Sequence, residues 1–469
     1  MSTIEHIELE AELQQLIRSD LAWHYRILPK AQSDSGVTFY IDETTDVELT
    51  REELSALLGI EIQLEKCSKE TIQRSLGRYY RNTDGEDSKI SFDANTDFVD
   101  RLIQEANRLG SSDIHIEIYG EKARIRIRID GNLIQRFSIA KEDYPELVNK
   151  IKIRSNLDIS EKRLPQDGRI EYNDFDIRVS ILPTLHGEKI VMRILGHDAS
   201  SISLEKVGFS KVEEKRYLEG VRKPNGIILI SGPTGSGKTT TLYATLKLLN
   251  QEKRNIVTVE DPVEYTLDGI NQVQLKESIG LTFASALRSF LRQDPDVIML
   301  GEIRDGETAQ MAIRAALTGH LVLSTIHTNS AWGTISRLID MGVPPFLLAN
   351  TINTSVAQRL VRRLCTSCKT KSALDATDWP PVDNFEIPNE VATPVGCDQC
   401  HYTGYKGRMA LYEVIPIDQT LALAIKGNNH EVDTLLNERG IKNLATRAYE
   451  VLIEGTTSLE EVYPLLSGI

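Results

Sequence analysis

Eight residues of this chain have the types and order needed to hold a phosphate: Gly232-Pro233-Thr234-Gly235-Ser236-Gly237-Lys238-Thr239. Glycines let the backbone wrap inward, so that its N–H groups and the N-terminus of a following helix face an anion. Lys238 would reach the β- and γ-phosphates of ATP, and the Thr239 hydroxyl, with Thr240 beside it, would ligate Mg²⁺. Two acidic clusters follow, Glu260-Asp261-Pro262-Val263-Glu264 and Gly301-Glu302-Ile303-Arg304-Asp305. Hydrolysis needs one acid to hold the metal or its water and another to orient the attacking water. Spacing alone does not say which glutamate does which job. His320 and His327 flank a further apolar stretch. A lone histidine is more often packed or surface-exposed than functional, but one at the C-terminal end of a strand, as His327 would be, can hydrogen-bond a γ-phosphate.

Cys365-Thr366-Ser367-Cys368 and Cys397-Asp398-Gln399-Cys400 form two C-x2-C pairs separated by 28 residues. Four thiolates at this spacing suit a closed tetrahedral Zn²⁺ site, structural because no coordination position is left open. The fifth cysteine, Cys67, reads as a small buried apolar residue.

The elements that must position these groups are legible in the hydrophobic pattern. Ile227–Ile230 is an all-apolar strand directly before the glycine-rich loop, and Ile256–Val259, Val297–Leu300 and Leu321–Ser324 resemble it. Continuous apolar strands separated by helical stretches predict a parallel sheet covered on both faces. In such a sheet the carboxyl ends of the strands line the ligand crevice, which is where the acidic clusters fall. Leu242, Leu246 and Leu249 give the helix after the loop one apolar stripe. Arg362 to about Tyr412, with the cysteines, interrupts this pattern, and a helical tail from Leu421 to Leu466 closes the chain.

Upstream, Ile114–Ile118 and Ala123–Asp130 alternate apolar and polar residues around a Tyr119–Lys122 turn, which predicts a hairpin. Its Arg124, Arg126 and Arg128 share the uncovered face. Phe175, Ile177, Val179 and Ile181 repeat the period and extend the same sheet, so about Phe92 to Gly196 reads as a small α+β domain. The first eighty residues form another unit, with a strand over Gly36–Ile41 and helical spacing over Arg51–Leu58 and Ser68–Tyr80. Polar, aperiodic Arg81–Ser88 reads as a linker.

The 469 residues carry 54 Lys+Arg against 68 Asp+Glu, a net charge of −14. That balance opposes a protein that coats nucleic acid. No apolar run approaches the ~18–20 residues that span a bilayer, and the start lacks a basic-then-apolar export signal. Paired cysteines without that signal read as metal binding in a reducing, cytoplasmic setting.

Taken together, the motifs resemble the secretion ATPase superfamily that powers type II secretion and type IV pilus assembly. Besides the glycine-rich loop, the resemblance rests on Ser112–Glu117, Leu164–Arg169, His186-Gly187-Glu188 with Val191-Met192-Arg193, Thr258–Tyr265, Arg292–Asp296 running into Gly301–Asp305, and Thr318–His320. It implies an α/β fold: an N-terminal platform-docking domain (1–85), a PAS-like domain (86–200), a RecA-like ATPase core (201–361), a tetracysteine zinc-binding subdomain (362–412) and a helical subdomain (413–469), with a linker at Ser201–Val207. It assigns Glu264 to water activation, Glu302 to Mg²⁺ and His327, with His320 in the same box, to the γ-phosphate. Arg178 and Arg193 of the second domain, and Arg288, Arg292 and Arg304, would surround the nucleotide. It further implies a homo-hexamer attached peripherally to the inner membrane through a platform protein and a recruiting cytoplasmic domain. The tetracysteine segment points to secretion or pilus extension, not retraction, and the short N-terminal segment to secretion. Two other readings start from the same residues. One is a RecA-like nucleic-acid motor using Arg359, Arg362, Arg363 and Lys369 as a basic strip; the other is a non-hydrolysing, zinc-stapled nucleotide sensor.

Overall fold

The computed structural model describes residues from 7 onward except 8, 10–12, 14–15, 18, 34–35, 81–97, 121, 197–201, 383, 430 and 469. The expected linker Arg81–Ser88 lies outside the described residues, as does the first residue of the expected Ser201–Val207 linker.

The first unit is a three-stranded sheet in the order β1 (Ile27–Ser33), β2 (Gly36–Asp42), β3 (Ile62–Cys67). The helix Val47–Leu58 carries the chain between the parallel strands β2 and β3. Asp46 starts that helix by accepting the N–H groups of Glu48 and Leu49, and Gly59, left-handed at φ 67°, ends it. Cys67 is buried in this core with Phe39 and Ile41, the apolar role its isolation suggested.

The second unit is six antiparallel strands: β4 (Asp113–Tyr119), β5 (Lys122–Ile129), β6 (Asn132–Ile139), β7 (Gln166–Glu171), β8 (Phe175–Thr184) and β9 (Gly187–Gly196), in the order β6-β5-β4-β9-β8-β7. The hairpin pairs Ile116 with Ile125. Helices Phe98–Arg108 and Tyr144–Arg154 share the buried core with Ile114, Ile116, Ile125, Ile127, Ile177 and Val179. The other face is charged and largely self-paired. Arg124, Arg126 and Lys189 converge on Glu117 at 3.2, 2.8 and 3.1 Å. Burial alone would raise the Glu117 pKa, but the hydrogen bonds from Arg126 and Lys189 outweigh it and bring it down to about 2.

The third unit is a seven-stranded sheet: β10 (Gly226–Ser231), β11 (Ile256–Glu260), β12 (Asn271–Gln274), β13 (Val297–Leu300), β14 (Leu321–Ile326), β15 (Ile352–Leu364) and, after the two short strands β16 (Thr370–Ala373) and β17 (Glu390–Thr393) that pair with each other, β18 (Tyr405–Pro416). The order is β12-β11-β13-β14-β10-β15-β18, parallel except for β18 at the edge. Both faces are covered, as the unbroken apolar runs require. Ile227, Leu229, Val259, Ile298 and Val322 face one core, and Ile228, Ile230, Met299 and Leu323 face the other. The C-terminal helices, Gln419–Lys426 to Leu459–Leu466, pack on the first of these.

The cysteine-bearing segment is an excursion from this sheet. Boundaries at 361/362 and 412/413 fall inside β15 and β18, which pair antiparallel from Thr354–Pro416 to Leu364–Tyr405. Apolar residues such as Leu411 and Val414 in those strands belong to the ATPase-unit cores.

Glu413 in β18 is buried among them. Burial pushes its carboxyl up to about 7, with Asp433 adding to the rise, against the Ala331 N–H and the Arg359 charge. Such a group binds its proton more tightly in the folded chain than the ordinary value of 4.5, so its stabilising effect is complete at low pH and is lost as pH rises from about 4.5 through 7. Glu413→Gln should therefore melt higher than the parent at pH 8, by about 3 kcal/mol at most, with the gap closing toward pH 5. Identical melting curves at pH 8 would contradict this.

Candidate active site

The parallel strands end side by side along one edge. Ser231 and Ile326 are register partners at the tips of β10 and β14, and Val259 and Leu300 at those of β11 and β13. The loop Gly232–Gly237 leaves β10 and enters the helix Lys238–Leu249. Gly237, at φ 86°, is left-handed, and a Cβ there would stand 2.8 Å from Gln358 Nε2. A Cβ on Gly232 would stand 2.4 Å from the Gln358 carbonyl oxygen. Both positions therefore need glycine for backbone shape and for space.

Lys238 folds back over this loop, its Nζ donating to the carbonyls of Gly232 at 2.8 Å and Pro233 at 3.0 Å. Burial pulls its pKa down, Glu302 opposes that, and Arg359 adds to it. The Ser236 hydroxyl is buried with no hydrogen-bond partner among the described residues. An orphaned hydroxyl inside a cradle of glycines and a lysine fits a phosphate, which would give it a partner. Thr239 and Thr240 are exposed on the first turn of the helix.

Glu302 follows β13 and lies between the guanidinium of Arg304 and the imidazole of His327, whose Nε2 is 3.3 Å away. Arg304 also lies 3.6 Å from Asp261. A hydroxyl from Thr239 and a carboxylate from Glu302 are the hard oxygen donors Mg²⁺ prefers. Glu264, after β11, meets Arg178 of the second unit: Nη1 is 3.9 Å from the carboxylate, and Nη2 donates to the Val263 carbonyl at 2.7 Å.

The structure thus brings together the glycine-rich loop, Lys238, Glu302, Arg304 and His327, and joins Arg178 to Glu264. It does not bring the other expected residues there. Arg193 pairs with Asp113 of its own unit at 2.9 Å. Arg288 pairs with Glu307 at 3.0 Å, and Arg292 donates to the Arg288 carbonyl at 2.9 Å. Among the described residues, no contact joins these three to the loop or to the two glutamates. His320 stands before β14, at the opposite end from His327. Its Nδ1 lies 2.9 Å from the Ala315 carbonyl, a helix-end contact.

Two residues on β15 were not anticipated as part of the site. Gln358 accepts from the Thr241 hydroxyl at 3.0 Å, and Arg359 donates to the Asn329 carbonyl and side chain at 3.2 and 3.3 Å. They stand mid-strand, just past Ala357, the last residue of β15 that pairs with β10. The supposed basic strip is dispersed: Arg359 lies by the glycine-rich loop, Arg362 is bonded to Glu461, and Lys369 donates to the Gly455 carbonyl at 2.7 Å.

At the far end of β15 and β18, the thiols of Cys365, Cys368, Cys397 and Cys400 all lie within 4.8 Å of one another. Three of the separations are 3.8 Å, far beyond a disulfide's ~2.05 Å. A tetrahedron with Zn–S arms of ~2.3 Å has edges of ~3.8 Å, so the cluster fits Zn²⁺. Backbone N–H groups of Gly396, Cys397 and Gly404 point at these sulfurs from 3.2–3.3 Å, as thiolates require.

Residues 91–464 match the family described as type II/IV secretion system protein, and residues 3–86 match the MshEN domain. The chain belongs to the type II/IV secretion system protein family. As a secretion ATPase it shares 38% identity with the type IV pilus assembly ATPase PilB of Myxococcus xanthus, over 98% of this chain and 87% of that one. It shares 45% with the type II secretion system protein E of Pseudomonas aeruginosa, over 78% and 74%. Among solved structures it resembles the pilus retraction motor PilT (27% identity, TM-score 0.53, covering 77% of this chain and 94% of that one). The Legionella pneumophila ATPase DotB shares the fold, with a TM-score of 0.59 at 22% identity, covering 79% and 96%. The chain is accordingly an ATPase of a secretion or pilus system, from a family whose reaction uses nucleotide and Mg²⁺. No described helix is long and apolar enough to cross a membrane.

If the four thiols hold Zn²⁺, a strong chelator should lower the melting temperature by several degrees or more, and Cys397→Ser should melt low without chelator. Melting that is unchanged by both treatments would rule the staple out.

Proposed function

We propose that this secretion ATPase is the hexameric motor of a type II secretion system, hydrolysing ATP to drive pseudopilus assembly and protein export. The observation that carries the hydrolytic part is the cleft at the strand tips, with an unsatisfied Ser236 hydroxyl in a glycine cradle and Glu264 and Glu302 at neighbouring tips. Gly232–Gly237 offers backbone N–H groups to the phosphates, and Lys238 exchanges its carbonyl partners for phosphate oxygens. Thr239 and Glu302 would hold Mg²⁺, whose positive charge would stabilise the transferred phosphoryl group. Glu264 accepts a proton from the attacking water, with Arg178 beside it, and His327 hydrogen-bonds near the γ-phosphate while orienting Glu302. Arg304 balances the Glu302 charge before nucleotide arrives. Arg193, Arg288 and Arg292, which stay away from this chain's own loop, serve the nucleotide of a neighbouring subunit in the ring.

The motor acts in the cytoplasm, peripherally attached to the inner membrane by a platform protein and a recruiting cytoplasmic domain, with its N-terminal unit as the docking part. The tetracysteine site holds Zn²⁺. The 45% identity with a type II secretion protein E supports the export reading. A second reading, the pilus-extension motor, is favoured by the relative that aligns over 98% of the chain, N-terminal unit included, which is a pilus assembly ATPase. Nucleic acid is not expected as a partner: the net charge is −14, and Arg359 and Arg362 of the supposed strip are engaged elsewhere.

Glu302→Ala should reduce ATP turnover by a factor of a hundred or more while nucleotide affinity stays within a few-fold. Retained turnover would remove the proposed mechanism. In cells, deletion of the gene should abolish export of secreted proteins and leave surface pili in place. The reverse phenotype selects the pilus reading, and hydrolysis stimulated by DNA and lost steeply with salt would sink both.

A further inference from the structure

Tyr243 is fully buried on the helix that begins at Lys238, and its hydroxyl is a junction. It donates to one oxygen of Glu260, and it accepts the backbone N–H of Glu264 at 3.3 Å. The other Glu260 oxygen accepts from the Thr258 hydroxyl at 2.6 Å and from Gln272 Nε2 at 3.1 Å. Gln272 in turn donates to the Tyr265 carbonyl at 3.0 Å and accepts the Leu267 N–H at 2.7 Å. Thus the loop after β11 is pinned at 264, 265 and 267 by side chains with no exposed role of their own. Glu260, 3% exposed, accepts from Tyr243, Thr258 and Gln272, all of its own unit.

We propose that Tyr243 is a positioning residue for ATP hydrolysis: through its hydroxyl it fixes the Glu264 backbone to the same helix whose first turn carries Lys238 and Thr239. The proposal rests on the reading of Glu264 as the group that activates water. Two parts of the reaction must stay in register, the phosphate held by the loop and the carboxylate that orients water. The loop is continuous with the Lys238–Leu249 helix, so a tie from that helix to Glu264 makes the two one rigid body. Burial first, and then the Glu260 charge, keep the phenol protonated, so its O–H stays directed at Glu260 and a lone pair stays open to the Glu264 N–H. A buried tyrosine that merely filled space would need only one partner for its hydroxyl. Here the second partner belongs to the residue whose placement the chemistry depends on, and misplacement of a reacting group by about 1 Å costs on the order of a hundredfold in rate.

Tyr243→Phe keeps the ring and its edge contact with Tyr265, whose centroid is 5.9 Å away, and deletes the junction. The expected result is a fall of about tenfold in kcat with KM for ATP within twofold and a cooperative melt. Wild-type kcat would overturn the proposal, and so would a parallel loss in kcat and KM that follows lost thermal stability. Gln272→Met, which releases the loop at 265 and 267, also removes the 3.5 Å donation from Gln272 Nε2 to the Tyr243 hydroxyl, and keeps the Tyr243 bonds to Glu260 and Glu264, is the second variant. A kcat-only loss there supports the pinned loop, and an unchanged kcat counts against it. Glu264→Gln measured alongside separates the two claims. Full turnover in that variant would fault the reading of Glu264, whereas an inactive Glu264→Gln beside an unaffected Tyr243→Phe would fault the positioning alone.

Discussion

The glycine-rich loop with Lys238, and Glu264, Glu302 and His327 after it, all follow the end of a strand that is largely apolar on both faces. Ile227 to Ile230, Val259, Ile298 to Leu300 and Val322 to Leu323 are all within a few per cent of complete burial. Each contributes roughly 1.5–3 kcal/mol by leaving water. A lysine or glutamate inside such a run would have to leave water unpaired, at a cost larger than that gain. The loop, Glu264, Glu302 and His327 therefore fall past strand ends, and the parallel direction of β10, β11, β13 and β14 gathers four of those ends on one edge. The site is a consequence of how the core is buried.

At that edge the charges already satisfy one another. Lys238 rests on two carbonyls of its own loop, and Glu302 lies between Arg304 and His327. Such internal partners are weaker hosts than a polyphosphate, which offers Lys238 full negative charges in place of carbonyl dipoles. Exchange of partners costs little, because the side chains are already out of bulk water and in place. Ser236 differs: its hydroxyl is buried with no hydrogen-bond partner among the described residues, so a phosphate that supplies one removes the penalty of leaving it unpaired. The second unit enters through one residue of this cleft, Arg178, which bridges to the Val263 carbonyl and the Glu264 carboxylate. The cleft is thus a property of two units, and only one of them carries the loop.

Period and punctuation carried most of the architecture. The alternation Ala123–Ile129 became β5 with its isoleucines buried, and the apolar runs became the parallel sheet, because in both cases the local pattern and the buried face agree. The glycine-rich loop and the cysteine spacing were equally legible, since each states its own geometry within a few residues. Side chains whose partners lie far along the chain were not. Arg193 and Arg178 are register partners on neighbouring strands, yet Arg178 reaches Glu264 while Arg193 turns to Asp113 on its other side. His320 and His327 bracket one strand, and the strand's length puts them at opposite ends of the sheet. Tyr243, between two leucines of an amphipathic helix, reads as core until its hydroxyl is seen between Glu260 and Glu264.

The tetracysteine excursion was the least well bounded part, and the reason lies in β15 and β18. Composition changes where the cysteines begin, but the hydrogen-bonded ladder does not end until Leu364 and Tyr405. Near the base of this ribbon, Gln358 and its register partner Tyr412 both meet the Thr241 hydroxyl, one turn into the helix that follows the phosphate loop. At its tip the Cys365 N–H bonds the Gly404 carbonyl at 2.9 Å, and the four sulfurs begin. An antiparallel pair at a sheet edge frays from its open end unless something closes it. Zn²⁺ held by the four cysteines would close that end, and the ladder runs from there inward to residues that touch the nucleotide helix. The cysteines and the phosphate loop, read from the sequence as separate modules, are two ends of one strand pair.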